Sequence, residues 1–390
     1  MRCARHFYSG LLAIGLIVGT SMQQLAIAPA VVLRGEGAWQ ESWPAIQTLC
    51  SRPLLLGRSP ATRQLRGQLG VDLQQLGLTL SEAELNHDCC ESDLERISAI
   101  LRSNACDAVV AAGGGKVLDA GKLLAFRHGL ACITVPTSAA TCAGWTALAN
   151  LYSAQGAFEG DVALERCPDL LVFDHALVRQ APAHTLASGI ADAMAKWYEA
   201  SVSSGASSDG MVQQAVQMAR VLRDQLLLEA GEAMAQPGGE AWVRVAEACG
   251  LTAGLIGGIG GARCRTVAAH AVHNGLTQLE ASHGQLHGAK VGFGILVQLR
   301  LEEVIGGNRL AGQARRQLLP LFQELGLPVS LGDLGLERAS LSELQEVAAF
   351  ACRPGSDLHH LPFNVQPSDV LAALVSTTTS SEAKLSASQG

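Results

Sequence analysis

The sequence predicts an α/β unit built on a parallel sheet, followed by an all-helical unit, and three observations predict it. Short apolar runs alternate with stretches of helical period up to about residue 174, and strands separated by single helices pair in parallel through right-handed crossovers. Strand signals then disappear from about His175, and helical period takes over. Hydrophobic residues make up 48% of the 390 and charged residues only 16%, which allows a large core and excludes a mostly disordered chain. With 4% aromatics, that core must be built from Ala, Leu, Val and Ile.

In chain order, Ala28 to Leu33 reads as the first strand, and Pro53 to Leu56 as a second, ended by Gly57. A helical stretch runs from Ala61 to Leu76, and another from Glu91 to Ser103. Asp107 to Ala112 is a buried strand, Val117 to Arg127 a helix, and Ala131 to Pro136 a further apolar strand. The helices expected next are His184 to Ser203, Gly210 to Leu228, Ala241 to Ile256, Thr266 to Leu279, Val291 to Val304 and Leu310 to Leu325. Residues 376–390, heavy in Ser and Thr, are expected to fray. The expected division is an extension over 1–21, an α/β domain over 22–174, a helical domain over 175–375 and the tail.

The N-terminus and the cysteines bear on the compartment. Arg2, Arg5, the apolar run Leu11 to Val18 and Ala26-Ile27-Ala28 resemble an export signal. Cleavage after Ala28 would cut into the first strand, and the competing reading is translation from Met22. The run is far short of the ~20 residues that span a bilayer. Eleven cysteines, an odd number without CxxC spacing, suit a reduced, cytoplasmic protein. The net charge of -7 is spread along the chain, which argues against nucleic acid as a partner.

The first chemical motif, Gly113-Gly114-Gly115-Lys116-Val117-Leu118-Asp119, directly follows a strand. Glycines there let backbone approach a pyrophosphate, and the next helix offers free N–H groups and a positive dipole end. A tight strand-to-helix turn would use the same glycines. A second loop, Pro136-Thr137-Ser138-Ala139-Ala140-Thr141, ends the next strand and can face the same crevice. The second motif is His270-Ala271-Val272-His273-Asn274-Gly275, followed by His283 and His287. Two imidazoles and a carboxylate leave an open position on Zn or Fe(II), and the best carboxylate is Asp192, set among apolar residues. An ordinary i to i+4 ion pair with Lys196 is the bland alternative for it.

Taken in order, these motifs with Lys122, Ala147-Leu148, Tyr152, Gly189 to Glu199 and His287-Gly288-Ala289-Lys290 resemble the glycerol dehydrogenases, members of the iron-containing, or group III, alcohol dehydrogenase superfamily. The similarity runs from about Ala28 to at least Ala373 and favours Met22 as the start. It implies a dehydroquinate synthase-like architecture with the site between its two parts. It also implies three metal ligands, Asp192, His270 and His287, holding one divalent ion, Zn or Fe, with His273 and His283 beside them. Gly113, Gly114, Gly115, Lys116, Val117, Leu118 and Asp119 fall where the family binds the phosphates of NAD or NADP. Thr137, Ser138, Ala139 and Ala140 fall at the nicotinamide half, and Thr146, Leu148 and Tyr152 match further cofactor contacts. A homo-oligomer acting on a small alcohol, polyol or aldehyde, without membrane or nucleic acid, is the implied assembly and partner set.

Two positions depart from the family. Cys142 stands where the family has an aspartate of the polyol site, and a thiol supplies neither its charge nor its two acceptor oxygens. Arg58 stands where NAD-dependent members have an acid for the ribose, so a 2'-phosphate is a candidate partner. Metal-assisted hydride transfer is the expected chemistry. A dehydroquinate synthase-like carbon-oxygen lyase is the alternative reaction, and a non-catalytic nucleotide-binding relative is the third reading.

Overall fold

A computed structural model describes residues 24–387; the leader-like run and Met22 lie outside the described residues. The strands are β1 (Val31–Gly35), β2 (Pro53–Gly57), β3 (Ser81–Glu84), β4 (Ala108–Gly113), β5 (Ala131–Pro136), β6 (Leu148–Tyr152), β7 (Phe158–Ala163) and β8 (Leu170–Asp174). Six of them form one sheet in the order β1-β8-β5-β4-β2-β3, every pair parallel. Residues of β2, β4 and β8 are buried throughout, because helices cover both faces of such a sheet and leave no side for polar alternation. Strand β1 begins later than expected at Val31, since Pro29 has no N–H for the ladder.

Parallel strands put all their carboxyl ends on one edge. Gly57, Glu84, Gly113 and Pro136 therefore lie along a single rim. Beside it, β6 and β7 form an antiparallel hairpin. Beyond Asp174 every described regular element is helical. The helices Ala183–Ser204, Ala268–Leu276 and His287–Val304 are alanine- and glycine-rich, which allows close backbone approach. A Cβ at Gly189 would sit 1.9 Å from the Ala139 carbonyl oxygen, and one at Gly288 would sit 1.9 Å from that of Ser188. These two glycines press the helical half against the loop after β5 and against itself.

Helical turns run without a break from Glu240 to Gly260 through one π-turn at Ala248–Thr252. Among the described residues this is the one stretch long and apolar enough to cross a membrane, and 56% of it is buried in the protein. The helix Pro367–Ala387 runs into the segment expected to fray. Its first turns are nucleated by packing, with Val370, Leu374 and Thr377 buried, and extending an existing helix costs little even for Ser and Thr.

Candidate active site

The rim of the sheet and the helical half enclose a cavity of about 1000 Å³. Its α/β wall carries Arg58, Gly113, Gly114, Gly115, Lys116, Val117, Asp119, Thr137, Ser138, Ala140, Cys142, Thr146, Leu148 and Tyr152. Its helical wall carries Asp192, Lys196, Arg265, His270, His273, His283, His287 and Lys290. Two of the residues singled out from the sequence do not reach it. Leu118 lies on the inner side of the helix Gly115–His128 and packs beneath the sheet, and the side chain of Ala139 enters the helical core.

The glycine turn divides its labour. A Cβ at Gly113 would lie 2.7 Å from Val117 Cβ and one at Gly115 would lie 2.8 Å from Thr141 Cγ2, so both serve close packing. A Cβ at Gly114 would meet nothing within 4 Å, and the helix starting at Gly115 has no side-chain cap. Open space in front of uncapped amides is what a pyrophosphate requires. Asp119 is less available: it is ion-paired to buried Lys122 at 2.9 Å and accepts from the Asn150 amide at 3.3 Å. Lys122 also bonds the carbonyls of Thr146 and Leu148, so the pair anchors the hairpin to this helix.

On the helical wall, Asp192, His270 and His287 each turn a ligand atom toward one point, all within 4.8 Å of one another. Asp192 Oδ1 lies 3.4 Å from His270 Nε2 and 3.6 Å from His287 Nε2, yet it is buried without a hydrogen bond of good geometry. The outer nitrogens explain the orientation. His270 Nδ1–H donates to Glu199 Oε2 at 2.6 Å, while Glu199 Oε1 accepts from the amides of Val267 and His270. His287 Nδ1 pairs with His273 Nε2 at 3.0 Å, and His273 Nδ1 with Asn274 Oδ1 at 2.9 Å. An amide oxygen only accepts, so His273 Nδ1 carries the hydrogen and His287 Nδ1–H donates to the free His273 Nε2. Once His270 gives up its Nε2 proton, two imidazole lone pairs and a carboxylate oxygen face each other. That arrangement suits a divalent cation, with nitrogen and oxygen ligands and open positions besides.

Electrostatics agree with the geometry. Burial by itself would raise the Asp192 carboxyl, but Lys196 and the two imidazoles hold it well below the usual range. Burial would lower His270, yet Glu199 and Asp192 raise it to about 9. Burial dominates at His287, which is lowered, and at His273, which falls well below its ordinary value. Burial also pushes the Cys142 thiol up to about 11, so it is neutral.

His283 also lines the cavity; its Nε2 donates to the Thr277 carbonyl at 2.7 Å, and its ring stands beside Gly156, near Asp88. The sequence reading missed Asp88, which pairs with Arg58 at 2.9 Å and with Lys116. It also missed Glu199, although Asp192, Lys196 and Glu199 follow i, i+4 and i+7 spacing on one helix face. A second convergent group, His87, Cys90 and Asp93, differs in kind. There Asp93 accepts from the amides of Asn86 and His87 and from Arg96, so it clamps a loop.

Fold and cavity together define an α/β protein with a helical cap, its candidate site on the carboxyl rim of the sheet. Residues 29–175 match the family model of iron-containing alcohol dehydrogenase. A glycerol dehydrogenase of Pseudomonas putida is 33% identical over 363 residues, covering 91% of this chain and 97% of its own. An uncharacterized oxidoreductase of Synechocystis is 55% identical over 353 residues, covering 90% and 91%. The crystal structure of the Schizosaccharomyces pombe glycerol dehydrogenase superposes with a TM-score of 0.80 at 25% identity, over 93% of this chain and 92% of that one. The chain belongs to the iron-containing alcohol dehydrogenase family, and it is an oxidoreductase acting on CH–OH groups.

Proposed function

We propose that this protein is a metal-dependent, NAD(P)-linked dehydrogenase of a small alcohol. The observation that carries the reading is the buried, unpartnered Asp192 Oδ1 facing two imidazole nitrogens in the cavity that also holds the open glycine turn. Asp192, His270 and His287 would hold the ion; when bound, it supplies electrophilic polarisation of the alcohol oxygen, and the nicotinamide accepts hydride. Gly114 and the amides of residues 115 and 116 bind phosphate, with Lys116 and Lys290 supplying positive charge. Thr137 and Ser138 orient the reacting half of the dinucleotide against the metal side. Glu199 and His273 hold the two imidazoles in their ligand tautomers, and the apolar packing around them keeps water out. A reduced, cytoplasmic location and a homo-oligomeric assembly complete the proposal; the ten described cysteines are all free thiols, in keeping with the former. The test is formation of reduced nicotinamide from a panel of small alcohols, with and without chelator. Turnover that survives complete metal removal would refute the reading.

Cofactor choice turns on Arg58. A charge-assisted hydrogen bond to a 2'-phosphate contributes roughly 1.5–3 kcal/mol, so NADP is expected to bind at least as tightly as NAD. Arg58→Asp should weaken NADP by about 10- to 150-fold at ~1.4 kcal/mol per tenfold, measured by fluorescence titration. Unchanged affinities for both would mean that Arg58 serves only its pair with Asp88.

Cys142 bears on the alcohol. It is buried on the cavity wall, and a neutral thiol forgoes the charge-assisted bond that a carboxylate offers a polyol hydroxyl. Cys142→Asp should raise kcat/KM for glycerol relative to a simple primary alcohol by about tenfold or more. Trp145 has no part in this, because its indole packs on Gly254 and donates to the Ile27 carbonyl, away from the cavity. A fall in glycerol use in the variant would show that position 142 does not set substrate choice.

A further inference from the structure

A single carboxylate on the sheet side of the cavity answers two cations. Arg58 follows Gly57, the last residue of β2, and the register sets Gly57 beside Glu84 at the end of β3. Beyond Glu84 the chain returns to the same rim with Asp88, whose Oδ1 lies 2.9 Å from Arg58 Nη2 and whose Oδ2 pairs with Lys116. Arg58, Asp88 and Lys116 all line the cavity. The other acids nearby are committed elsewhere: Glu84 pairs with Arg63 and Arg66, and Asp119 pairs with Lys122.

Within this group the carboxylate is fixed and the cations are movable. The residue before Asp88 is held by its amide, since His87 N–H donates to Asp93 at 2.8 Å. The residue after it is held by its carbonyl, which accepts from the Tyr152 amide at 2.9 Å. The Asp88 side chain is 8% exposed, against 40% for Arg58 and 38% for Lys116. Arg58 Nη2 is close to Asp88 Oδ1, yet Oδ1 has no aligned hydrogen bond. Charge, and not a bidentate fork, therefore holds the guanidinium there, and Arg58 can turn on its exposed stem while Asp88 stays in place.

A 2'-phosphate reaching Arg58 must draw the guanidinium away from Asp88, and a diphosphate at the glycine turn draws Lys116 away from the same carboxylate. With Lys116 turned to the diphosphate, Arg58 is the last counter-ion that Asp88 has. A largely buried carboxylate resists losing its last partner. A dinucleotide with a free 2'-hydroxyl makes no such demand. We propose that Asp88 sets the NADP-to-NAD ratio as a positioning residue, withholding Arg58 from the 2'-phosphate. This rests on the reading of Arg58 given above and adds the group that opposes it: Arg58 attracts the 2'-phosphate, and Asp88 limits how much of that attraction is realised.

The probes are ADP-ribose and its 2'-phosphate, which share the diphosphate and differ only at the 2' position. Neither carries a nicotinamide, so the comparison stands without metal or turnover. In calorimetry, the nearly isosteric Asp88→Asn should raise the affinity of the 2'-phosphate relative to plain ADP-ribose by about 10- to 100-fold, the effect of one close charge pair. NADP relative to NAD, followed by fluorescence titration, should move in parallel. Asp88→Glu keeps the charge and should hold the ratio near that of the wild type, and Asp88→Ser gives the same reading as Asn if the amide is not accommodated. In an Arg58→Gln background the gain from Asp88→Asn should be lost. A purely structural role would weaken both probes alike and leave their ratio unmoved. An unchanged ratio in Asp88→Asn, or a gain that persists in full without Arg58, would overturn the proposal while the dehydrogenase reading stands. A wild type that binds neither NAD nor NADP would overturn both readings together.

Discussion

His270→Ala is expected to abolish stoichiometric metal binding and to lower kcat/KM by about a thousandfold or more. The ion has three protein ligands, and the loss of one leaves two, too few to hold it against water and buffer. Electrophilic stabilisation of the alcohol oxygen contributes several kcal/mol, and each ~1.4 kcal/mol is a factor of ten. Elemental analysis of the purified variant gives the first reading and turnover the second. Full metal occupancy in the variant would remove His270 from the site. A pH signature accompanies this result. In the metal-free protein His270 is raised to about 9, so at neutral pH its Nε2 carries a proton directed at Asp192. Metal uptake must expel that proton. Apparent affinity should therefore climb by about tenfold per pH unit through the neutral range and level off near pH 9. A pH-independent affinity would mean that the imidazole is already deprotonated in the free protein.

How far the sequence could be read depends on whether local signals carried the feature. The turn after β4 was legible because a fully buried strand, three glycines and a helix follow each other without interruption. Edge strand β3, Ser81–Glu84, was not: two of its four residues are glutamates and none is fully buried, as suits a strand exposed at the edge of a sheet. The hairpin of β6 and β7 was missed for a related reason, since Gly160 stands at an inward position of β7 and leaves only Phe158 and Val162 as apolar markers of its alternation. In the site, the density of histidines between 270 and 287 and the isolated acid at 192 pointed to one another across the sequence. Glu199 was readable in principle, seven residues beyond Asp192 on the same helix. Asp88 and Arg265 were not, because only tertiary approach brings them to the cavity. Leu118 illustrates the opposite error: a position inside a contiguous motif is still turned away when the helix rotates about 100° per residue.

The second large effect is expected at Glu199, and two substitutions there separate folding from metal binding. Glu199→Ala leaves His270 Nδ1–H and the amides of Val267 and His270 without their acceptor in the interior. At about 1–3 kcal/mol for each buried donor left unsatisfied, a loss of several kcal/mol in stability is expected, read by denaturant melting. Glu199→Gln is nearly isosteric, and its amide oxygen can still receive the two backbone N–H groups. Its NH2 then takes the place of Oε2 against His270. Two donors cannot share that contact, so His270 must turn its Nδ1 into the acceptor and carry its hydrogen on Nε2, which points at Asp192. An imidazole in that tautomer has no lone pair for the ion. Metal affinity should fall by about 10- to 100-fold, the range set by losing a ligand's outer hydrogen bond, while the metal-free protein is destabilised less than by Glu199→Ala, losing the charge partner of His270 but keeping the acceptor of the two backbone amides. Glu199→Gln that binds metal as tightly as the wild type would show that Glu199 is only a packing and capping residue, and that the orientation of His270 is fixed by its backbone alone.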